Sequence, residues 1–427
     1  MILAYRILTK LIYPFLFILV LIRILIKKED PVRYKEKIFV SHFNVKKNNE
    51  NKLIWFHAAS IGELKSIIPI INKLNSYVTK LDFLVTTNTL SSSRIAEIEF
   101  SKIKNVEHRF LPFDIEFLIS NFLKLWKPSF ILLVDSEIWP NLIFCARKNN
   151  ISLGIINARI TSKSYKRWMM FPKTASKIFS CFDLCLTSNL ETKSFLKRLN
   201  AKNIHYNGNI KLINEIDENK INNLNENFLT NNKFWLAAST HAGEEELCIK
   251  THLLLKKNIK NIFTLIAPRH IERSNNIKSL CERYNLATQI LNDNELINPN
   301  KEIIIINSFG ILKNYFKYAK SVFIGKSTLI KLKDVGGQNP LEAAQLRCKI
   351  YNGPYVYNFK DIYDILEKYN ISVQITDHND LSNYLEKDLE RHNEKSHEIS
   401  DIINNLSKKT LSDTIRYIDK FILNDAI

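Results

Sequence analysis

The sequence predicts an α/β chain with two doubly wound domains. Short apolar runs, each followed by a polar loop and a stretch of helical periodicity, alternate from about residue 52. Such alternation is typical of a parallel sheet covered by helices on both faces. A polar, Asn-rich segment at residues 214–232 interrupts the pattern, which then starts again. Because 427 residues are enough for two cores, we expect two such domains facing each other across a cleft.

Residues 1–28 predict a membrane anchor helix that precedes the first domain. The run Leu11–Ile26 is apolar except at Pro14 and Arg23. As a helix it spans roughly 24 Å, short of a bilayer core of about 30 Å, and residues 1–10 supply the missing length. No small-residue cleavage site follows, so we expect no removable signal peptide. A spanning helix, a helix in the membrane interface and a buried core helix all fit this pattern.

The net charge of the chain calls for an acidic partner, a membrane surface or an explanation by solubility. The chain carries a formal net charge of +18, and an excess of basic residues beside a membrane segment marks the cytoplasmic side. We therefore expect the domains at the cytoplasmic face of the membrane. The basic residues are spread out, without a zinc finger or an RNA-binding aromatic signature, so nucleic acid is not an expected partner. The basic residues that follow the anchor are Lys27, Lys28, Arg33, Lys35 and Lys37.

Ten apolar runs predict the strands. We assign residues 29–213 to an N-terminal domain, 214–232 to a linker, 233–408 to a C-terminal domain and 409–427 to a final helix that packs toward the first domain. Functional loops in such sheets follow the carboxyl ends of the strands. The predicted strands are Leu53–Phe56, Asp82–Thr86, Phe130–Val134, Leu153–Ile156, Leu184–Thr187, Phe234–Ala238, Ile262–Ala267, Glu302–Ile306, Ser321–Ile324 and Cys348–Tyr351.

The six cysteines and the histidines do not predict a metal site. The cysteines stand far apart without paired zinc-ligand spacing, which indicates reduced, mostly buried thiols of a cytosolic compartment. His241 and His270 follow two strands, but no helix presents them four residues apart. We expect no bound metal.

Three charged residues of the N-terminal domain are candidates for chemistry. Glu63 follows a strand and Gly62 at the start of a helix, where the helix dipole is expected to lower the pKa of its carboxyl and keep it ionised as a general base. It could instead only complement the dipole. Asp135 and Glu137 follow the apolar run Phe130–Val134, and Asp135 could simply cap the next helix. Lys211 lies where the first domain ends, within reach of a phosphate or carboxylate, although most lysines are only solvated.

In the C-terminal domain, the segment Asp334–Ala344 predicts a ligand-binding loop. This chain has only nine glycines, and the adjacent pair Gly336 and Gly337 permits a positive φ and a close approach of ligand to backbone. Asn339 is suited to cap a helix that begins at Pro340, whose open N-terminus favours an anion. Glu342 in its first turn could bind a ribose hydroxyl. An ordinary capped helix after a turn explains the same residues.

A guanidinium in the same domain is a second candidate for anion binding. Arg269 follows an apolar strand and Pro268, and its side chain can bind a phosphate through two parallel hydrogen bonds. Residues 325–327 imitate the end of a phosphate-binding P-loop, but the glycine that should precede them is missing, so we reject that motif.

Taken together, these motifs resemble the transferases of 3-deoxy-D-manno-octulosonic acid (Kdo), which attach Kdo to lipid A precursors. The resemblance covers nearly the whole chain, and the combination is specific although each piece alone is not. It implies a GT-B fold of two Rossmann-like domains, with the acceptor in the first and the donor CMP-Kdo in the second. The matching residues are His57–Glu63, Asp135–Asn141, Asn157–Arg159, Gly208–Lys211, Ala238–Glu246, Pro268–His270, Gly336–Ala343, Gly353, Pro354, Asn358 and Phe359.

The resemblance also implies roles for residues. Glu63 corresponds to the catalytic base, and Glu137 and Lys211 to groups that assist the transition state. Departures from the family's pattern are Asp135–Ser136 in place of Glu-Thr, Gln338 in place of His and Lys326 in place of a second Gly. The implied CMP-binding residues are Pro268, Arg269, Phe309, Gly310, Ile311, Asn339, Pro340, Leu341 and Glu342.

The activity implied is that of an inverting glycosyltransferase at the cytoplasmic side of the inner membrane, in lipopolysaccharide biosynthesis. Its partners would be CMP-Kdo, a lipid A precursor and the membrane, without a metal or other cofactor. Another membrane-associated GT-B glycosyltransferase that uses a different sugar nucleotide is the first alternative. A non-catalytic membrane scaffold is the second, and retention of Glu63, Arg269 and Glu342 speaks against it.

Overall fold

A computed structural model describes residues 1–43, 51–78, 80–213, 216–390 and 397–423. Its contacts divide the chain into two units, Met1–Asn214 together with Ser407–Ile427, and Glu215–Leu406. Parts of the predicted segments lie outside the described residues, namely 44–50 and 79 of the N-terminal domain, 214–215 of the linker, 391–396 of the C-terminal domain and 424–427 of the final helix.

The first unit is built on a parallel sheet. Its strand order is β3-β2-β1-β4-β5-β6-β7 in the described residues, so the order reverses between β1 and β4. The loops after β1 and β4 therefore leave the sheet at a topological switch point, where ligands bind in open α/β sheets. The strands are β1 Lys52–His57, β2 Leu81–Thr87, β3 Val106–Phe110, β4 Phe130–Val134, β5 Ser152–Ala158, β6 Leu184–Thr187 and β7 Ile204–Tyr206.

Helices cover both faces of this sheet. Side chains of β1 alternate between the faces, so that Trp55 packs into one core with Phe122 and Trp126 while Phe56 packs into the other with Ile67. The helices of the unit are α1 Ile2–Leu25, α2 Lys35–Ile38, α3 Ile61–Tyr77, α4 Leu90–Phe100, α5 Glu116–Trp126, α6 Pro140–Lys148, α7 Ser162–Met169, α8 Pro172–Phe179, α9 Leu190–Arg198 and, from Ser407 on, the later part of α17 His397–Leu423.

The end of α17 belongs to the core of this unit. Ile415, Ile418, Phe421 and Ile422 join the same cluster as Phe56 and Ile67. The rings of Phe421 and Phe130 are 5.3 Å apart. The first unit is therefore assembled from both ends of the chain.

One face of α1 packs against the first unit along nearly the whole helix. The hydroxyl of Tyr5 donates to Asp114 at 2.9 Å, that of Tyr13 donates to the carbonyl of Ile38 at 2.9 Å, and Val20 is buried. The opposite face exposes a row of large apolar side chains. This is the one described helix that is long and apolar enough to cross a membrane. The exposed residues of this row are Leu3, Ile7, Leu8, Leu11, Phe15, Ile18, Leu19, Ile22 and Leu25.

The second unit repeats the architecture. Its described strands form a parallel sheet in the order β10-β11-β9-β8-β12-β13-β14, which reverses between β8 and β12. The strands are β8 Phe234–Thr240, β9 Phe263–Pro268, β10 Thr288–Leu291, β11 Ile303–Ile306, β12 Ser321–Ile324, β13 Lys349–Asn352 and β14 Ser372–Gln374. The helices are α10 Glu226–Asn231, α11 Glu244–Asn258, α12 Ser274–Arg283, α13 Lys313–Phe316, α14 Leu341–Gln345, α15 Lys360–Lys368 and α16 His378–Glu390.

Residues 216–232, which the sequence assigned to a linker, contribute structure to the second unit. They contain α10, whose Leu229 is buried. The side chain of Asn225 donates to the carbonyl of Glu295 at 3.0 Å and accepts from the N–H of Ile297 at 2.7 Å. The side chain of Asn225 therefore bonds to backbone groups of the second unit, and the Asn-rich segment is more than a solvated linker.

The fold class predicted from the sequence, two doubly wound parallel α/β domains, is confirmed. All ten predicted strands are present, three with the predicted bounds and seven with ends that differ by one or two residues. Four further strands, β3, β7, β10 and β14, lie at the edges of the two sheets and were not predicted.

Candidate functional site

The charged candidates of the first unit meet at the switch point of its sheet. Glu63 lies in the first turn of α3 after β1, while Asp135 and Glu137 lie in the loop after β4. Lys211 approaches them from a 3₁₀ turn at Ile210–Ile213. The structure thus gathers Glu63, Glu137 and Lys211 at one edge of the sheet, together with Asp135.

Glu63 is held by the start of its own helix. The hydroxyl of Ser60 donates to Oε1 of Glu63 at 2.7 Å and accepts from the Glu63 N–H at 3.3 Å, while the N–H of Ala59 donates to Oε2 at 2.8 Å. The Ser60 N–H also donates to Oε2 at 3.4 Å, and this bond together with the bond from the Glu63 N–H to the Ser60 hydroxyl forms a capping box. These bonds fix the carboxylate at the end of β1 and leave it partly exposed.

The pKa of Glu63 is raised above its ordinary value of 4.5, contrary to the lowering expected from the helix dipole. Partial burial is the largest cause, and the nearby carboxylates of Asp135 and Glu137 add to it. The hydrogen bonds from Ser60 and Ala59 act in the opposite direction but are outweighed. The helix dipole could be predicted from the sequence, whereas the proximity of Asp135 and Glu137 to Glu63 depends on the fold. A raised pKa makes this carboxylate a stronger base.

Asp135 and Lys211 form an ion pair beside Glu63. Their Oδ2 and Nζ atoms are 2.7 Å apart, and the side chain of Asp135 is 10% exposed. Asp135 has a φ of +62°, in the left-handed region that non-glycine residues seldom adopt. The 3₁₀ turn that carries Lys211 is fixed where the Ile210 N–H donates to the side-chain oxygen of Asn157 at 3.0 Å.

Asp135 does not cap the helix that follows it. The helix α6 begins at Pro140, and the N–H groups of Asn141 and Leu142 donate to the carboxylate of Asp114 at 3.0 and 2.8 Å. Asp114 therefore caps α6 although it precedes that helix by more than twenty residues, and Asp135 is left to pair with Lys211.

Glu137 is held by two ring nitrogens. Its Oε2 accepts from the indole N–H of Trp139 at 2.8 Å and lies 3.3 Å from Nε2 of the buried His57. The other ring nitrogen of His57 lies 2.9 Å from the hydroxyl of Thr86, which also accepts from the indole of Trp55 at 2.8 Å. His57 belongs to the matching segment His57–Glu63, but its pairing with Glu137 could not be predicted because the two residues are 80 positions apart.

In the second unit, Arg269 and Phe309 come together. Pro268 ends β9, the exposed Arg269 follows it, and the guanidinium carbon lies 5.5 Å from the centre of the exposed Phe309 ring. Gly310, with a φ of +80°, and Ile311 continue the loop after β11. Because both loops follow neighbouring parallel strands, a cation and an aromatic face are presented at the same sheet edge.

A buried carboxylate supports a neighbouring loop of this edge. Glu244 accepts hydrogen bonds from the backbone N–H groups of Lys326, Ser327 and Thr328 at 2.6, 2.8 and 3.0 Å. Three N–H groups on one carboxylate fix the loop after β12 in place. In the sequence, Glu244 stood out only as part of the matching segment Ala238–Glu246.

The Gly336–Glu342 segment rests on that loop. The N–H of Gly337, whose φ is +91°, donates to the carbonyl of Lys326 at 2.7 Å. The hydroxyl of Tyr363 donates to the carbonyl of Gln338 at 3.1 Å. Asn339 and Glu342 are exposed, whereas Pro340 and Leu341 are buried.

The predicted helix after this loop is shorter and starts later than expected. The helix α14 begins at Leu341, one residue after Pro340, and ends at Gln345. The side-chain oxygen of Asn339 accepts from the N–H of Leu341 at 3.1 Å, as a cap would. With five residues, α14 contributes only a small dipole, which weakens the expectation of an anion site at its N-terminus.

The described ranges contain no group of three or more His, Cys, Asp or Glu residues that could hold a metal ion. The rings of His241 and His270 are 5.8 Å apart and pack edge to face. The cysteines of the described residues are all free thiols, and Cys181 alone among them is not fully buried.

Comparisons with known proteins place the chain in a family. Residues 33–214 match the family described as 3-deoxy-D-manno-octulosonic-acid transferase (kdotransferase). A protein of that name from Rickettsia bellii is 31% identical over 430 residues, covering 98% of this chain and 99% of the relative. The protein of that name from Haemophilus influenzae is 31% identical over 318 residues, covering 73% of each chain.

Solved structures agree with the fold. A glycosyltransferase from Rickettsia africae has a TM-score of 0.57 at 11% identity, covering 89% of this chain and 100% of its own. The UDP-GlcNAc 2-epimerase from Neisseria meningitidis has a TM-score of 0.53 at 12% identity, covering 84% and 100%. At these identities the likeness concerns the fold alone, and it confirms an architecture of the GT-B kind.

Proposed function

The chain belongs to the 3-deoxy-D-manno-octulosonic acid (Kdo) transferase family, and on that premise we propose how its residues transfer Kdo from CMP-Kdo to a lipid A precursor. The chain is thus a glycosyltransferase of lipopolysaccharide biosynthesis. The observation that carries the mechanism is the cluster at the switch point of the first sheet. There a carboxylate of raised pKa, Glu63, lies beside the ion pair of Asp135 and Lys211.

Glu63 acts as the general base. It takes the proton from the acceptor hydroxyl while the oxygen of that hydroxyl bonds to the anomeric carbon of Kdo. The bond from this carbon to the phosphate oxygen of CMP breaks, and CMP leaves with the bonding electrons. Attack from the face opposite to CMP inverts the centre. Bond breaking runs ahead of bond making at such a carbon, which gives the transition state oxocarbenium character.

Glu137 and Lys211 supply fixed charges of opposite sign at this edge of the first sheet. The bonds from Trp139 and His57 hold Glu137 where its negative charge can stabilise developing positive charge. The ion pair with Asp135, at 2.7 Å, holds the ammonium group of Lys211 in position. Because these groups are preorganised, they need no rearrangement during the reaction.

The loops of the second unit bind the nucleotide. Arg269 forms charged hydrogen bonds to the CMP phosphate, and the exposed ring of Phe309 beside it offers a flat apolar surface to the donor. Gly310 and Ile311 continue that surface. The segment Asn339–Glu342, held by Pro340 and Leu341, presents the carboxylate of Glu342 to the ribose hydroxyls.

Mass analysis of the products tests this proposal. The full-length chain in detergent is incubated with CMP-Kdo and tetraacylated lipid A precursor, with Glu63→Gln as the inactive control. We expect Kdo-bearing product from the wild-type chain, also in the presence of EDTA because the proposed charges are side chains. Transfer from a UDP-sugar instead of CMP-Kdo would contradict the donor assignment, and loss of activity with EDTA would contradict the metal-free mechanism.

We further propose that α1 attaches the enzyme to the cytoplasmic face of the inner membrane by lying in the interface. Arg6 and Arg23, near the two ends of the helix, pair with Glu116 at 3.0 Å and with Glu29 at 3.2 Å. A helix crossing the bilayer would carry these carboxylates and the buried Asp114 into hydrocarbon, which is costly. An interfacial helix instead buries only its apolar outer face in the lipid.

Labelling from one side of the membrane distinguishes the two orientations. In a Cys181→Ser background, Ile2→Cys and Lys28→Cys are each treated with a membrane-impermeant thiol reagent applied to inverted inner-membrane vesicles. An interfacial helix exposes both ends to the same side, so both positions are labelled. Labelling of only one end would indicate a spanning helix.

A further inference from the structure

A chain of hydrogen bonds runs from the core of the first unit to Glu137. Trp55 and His57 lie two positions apart on β1, so their side chains share one face of the sheet, and Thr86 on the neighbouring strand β2 is the register partner of His57. Oγ1 of Thr86 lies 2.8 Å from the indole nitrogen of Trp55 and 2.9 Å from Nδ1 of His57. All three side chains are fully buried, so the protein alone decides where their hydrogens lie.

The donors and acceptors fix the direction of this chain at its inner end. An indole nitrogen can only donate, so Oγ1 of Thr86 accepts from Trp55 and its own hydrogen is left for another acceptor. Nδ1 of His57 is within reach. The second group near Nδ1, the Thr86 carbonyl at 3.1 Å, already accepts from the N–H of Ala58. The Thr86 hydroxyl therefore donates to Nδ1, and the imidazole ring carries its own hydrogen on Nε2.

The outer end of the chain requires the same arrangement. Oε2 of Glu137 accepts from the indole N–H of Trp139 at 2.8 Å and lies 3.3 Å from Nε2 of His57. An ionised carboxylate can only accept, so Nε2 must carry a hydrogen to bind it. A ring with its hydrogen on Nδ1 would turn a lone pair toward the carboxylate and repel it. Both ends of the chain thus select the Nε2–H tautomer of His57.

We propose that Thr86 is a positioning residue for the transfer reaction, because its hydroxyl sets the tautomer of His57 that holds Glu137 in place. The tautomer of a histidine is determined by the hydrogen bond that its other nitrogen makes, and Thr86 makes that bond here. The inference rests on the proposed function, since it takes from there the role of Glu137 as a fixed negative charge. It adds a buried hydroxyl that lies outside the segments matching the family.

Thr86→Val tests this role, because valine keeps the shape of the side chain and removes the hydroxyl. Nδ1 of His57 should then keep a hydrogen for the backbone carbonyl at position 86, so that Nε2 loses its own and Glu137 loses a donor. We expect kcat to fall about 10- to 100-fold, the range for a lost partner that orients a metal-bound histidine. The KM for CMP-Kdo should stay that of the wild type. Thr86→Ser returns the hydroxyl and should restore kcat.

Thr87→Val is the matched control on the same strand. Thr87 is also fully buried, and its Oγ1 lies 3.0 Å from Nε2 of a different histidine, His108. Its replacement removes a buried threonine–histidine bond as well, but on the opposite face of the sheet. Thr87→Val should therefore keep the kcat of the wild type. Equal losses of kcat in the two valine variants, or full activity of Thr86→Val, would overturn the proposal.

Nitrogen NMR of the full-length enzyme in detergent detects the tautomer without turnover. With isotope-labelled histidine, and His57→Gln to identify the signals of His57, the wild type should carry hydrogen on Nε2 and none on Nδ1, and Thr86→Val the reverse. The wild-type spectrum decides the tautomer even if a variant does not fold. Hydrogen on Nδ1, or on both nitrogens, in the wild type would overturn the proposal. A wild type with the Nε2–H tautomer that transfers no Kdo would count against the proposed function, and not against this chain of bonds.

Discussion

Glu63 combines a structural and a chemical task in one side chain. Oε2 of Glu63 accepts from the backbone N–H groups of Ala59 and Ser60, whereas Oε1, bonded to the Ser60 hydroxyl, keeps a second lone-pair site for a substrate proton. The capping box also tolerates glutamine at this position, because the amide oxygen can accept from the same N–H. A Glu63→Gln variant is therefore expected to keep the helix start and to lose only the ability to take a proton.

Glu63→Gln should lower kcat by about 10²- to 10⁴-fold, the range typical of a lost general base. The affinity for CMP, measured by calorimetry, should remain that of the wild type, since the proposed donor residues belong to the second unit. Circular dichroism serves as the control for folding. Normal turnover would show that Glu63 only caps α3, and the base would then have to be sought at Glu137 or Asp135.

The pH dependence of kcat/KM should be sensitive to the charged groups that surround Glu63. A base is active when deprotonated, so kcat/KM rises as the pH passes through the pKa of Glu63. Asp135 contributes to the raised pKa, and Asp135→Asn removes that charge while leaving Lys211 unpaired. Both changes lower the pKa, so the acid limb should move to lower pH. The move is partial, because burial is the larger cause.

A pH–rate profile of Asp135→Asn against wild type measures this displacement. Asp183→Asn provides the control, because Asp183 pairs with Arg147 and is not among the causes of the Glu63 shift. An acid limb that stays in place or moves to higher pH in Asp135→Asn would contradict the assignment of the limb to Glu63.

Arg269→Ala should weaken CMP binding by about 1.5–3 kcal/mol, the worth of a charged hydrogen bond. Arg283→Ala removes an exposed arginine from the end of α12 and should leave the affinity unchanged. Titration calorimetry with CMP measures both. Equal affinities for the two variants would remove Arg269 from the donor site.

At the scale of elements, the proposed donor site at the edge of the second sheet depends on loops that contact one another. A Cβ at Gly336 would collide with the backbone oxygens of Leu332 and Tyr355, so only glycine fits at this position. The N–H of Asn358 in turn donates to the carbonyl of Gly336 at 2.9 Å. The conformation of the loop that carries Asn339 and Glu342 is therefore determined by backbone packing. The short helix α14 after it contributes less to that conformation.

Gly336→Ala should accordingly disturb the donor loop. Forcing a methyl group into a packed site typically costs about 1–3 kcal/mol, and the displaced segment should also bind CMP more weakly. Gly62→Ala, where an added Cβ meets nothing within 4 Å, is the matched control. Thermal unfolding and CMP calorimetry are measured for both. A Gly336→Ala variant with the stability and CMP affinity of the wild type would contradict this account of the loop.

At the scale of the whole molecule, the core of the first unit is complete only when α17, near the end of the chain, packs against it. Ile418 is fully buried there, and the hydroxyl of Tyr77 on α3 donates to Asp419 on α17 at 2.6 Å. The first unit therefore cannot complete its core until the second unit has been synthesised. This order follows from the placement of α17 at the end of the sequence.

Ile418→Ala should destabilise the first unit by about 2–5 kcal/mol, as is typical of a large-to-small change in a core. Four of the five tryptophans, at positions 55, 126, 139 and 168, lie in the first unit, so urea unfolding followed by tryptophan fluorescence reports mainly on that unit. Lys409→Ala, at an exposed position of the same helix, should unfold as the wild type does. Coincident curves for Ile418→Ala and wild type would show that α17 does not complete this core.

The sequence by itself determined the central strands, the repetition of the domain and the family. Interior strands of a parallel sheet are buried on both faces, so they appear as continuous apolar runs, and β4 and β11 are buried throughout. The edge strands carry no such signal. In β3, for example, buried and half-buried residues alternate over Val-Glu-His-Arg-Phe. From the sequence alone, this polar segment cannot be distinguished from a loop.

Only the tertiary structure decided how the charged residues act. Burial and the approach of Asp135 raised the pKa of Glu63, although the local helix dipole predicted the opposite. Asp114, and not Asp135, caps α6, and Asp135 pairs with a lysine 76 positions away. The packed face of α1 likewise became visible only through contacts with residues far along the chain. Helix starts and apolar runs depend on neighbours in sequence, whereas charge pairing, pKa values and burial depend on neighbours in space.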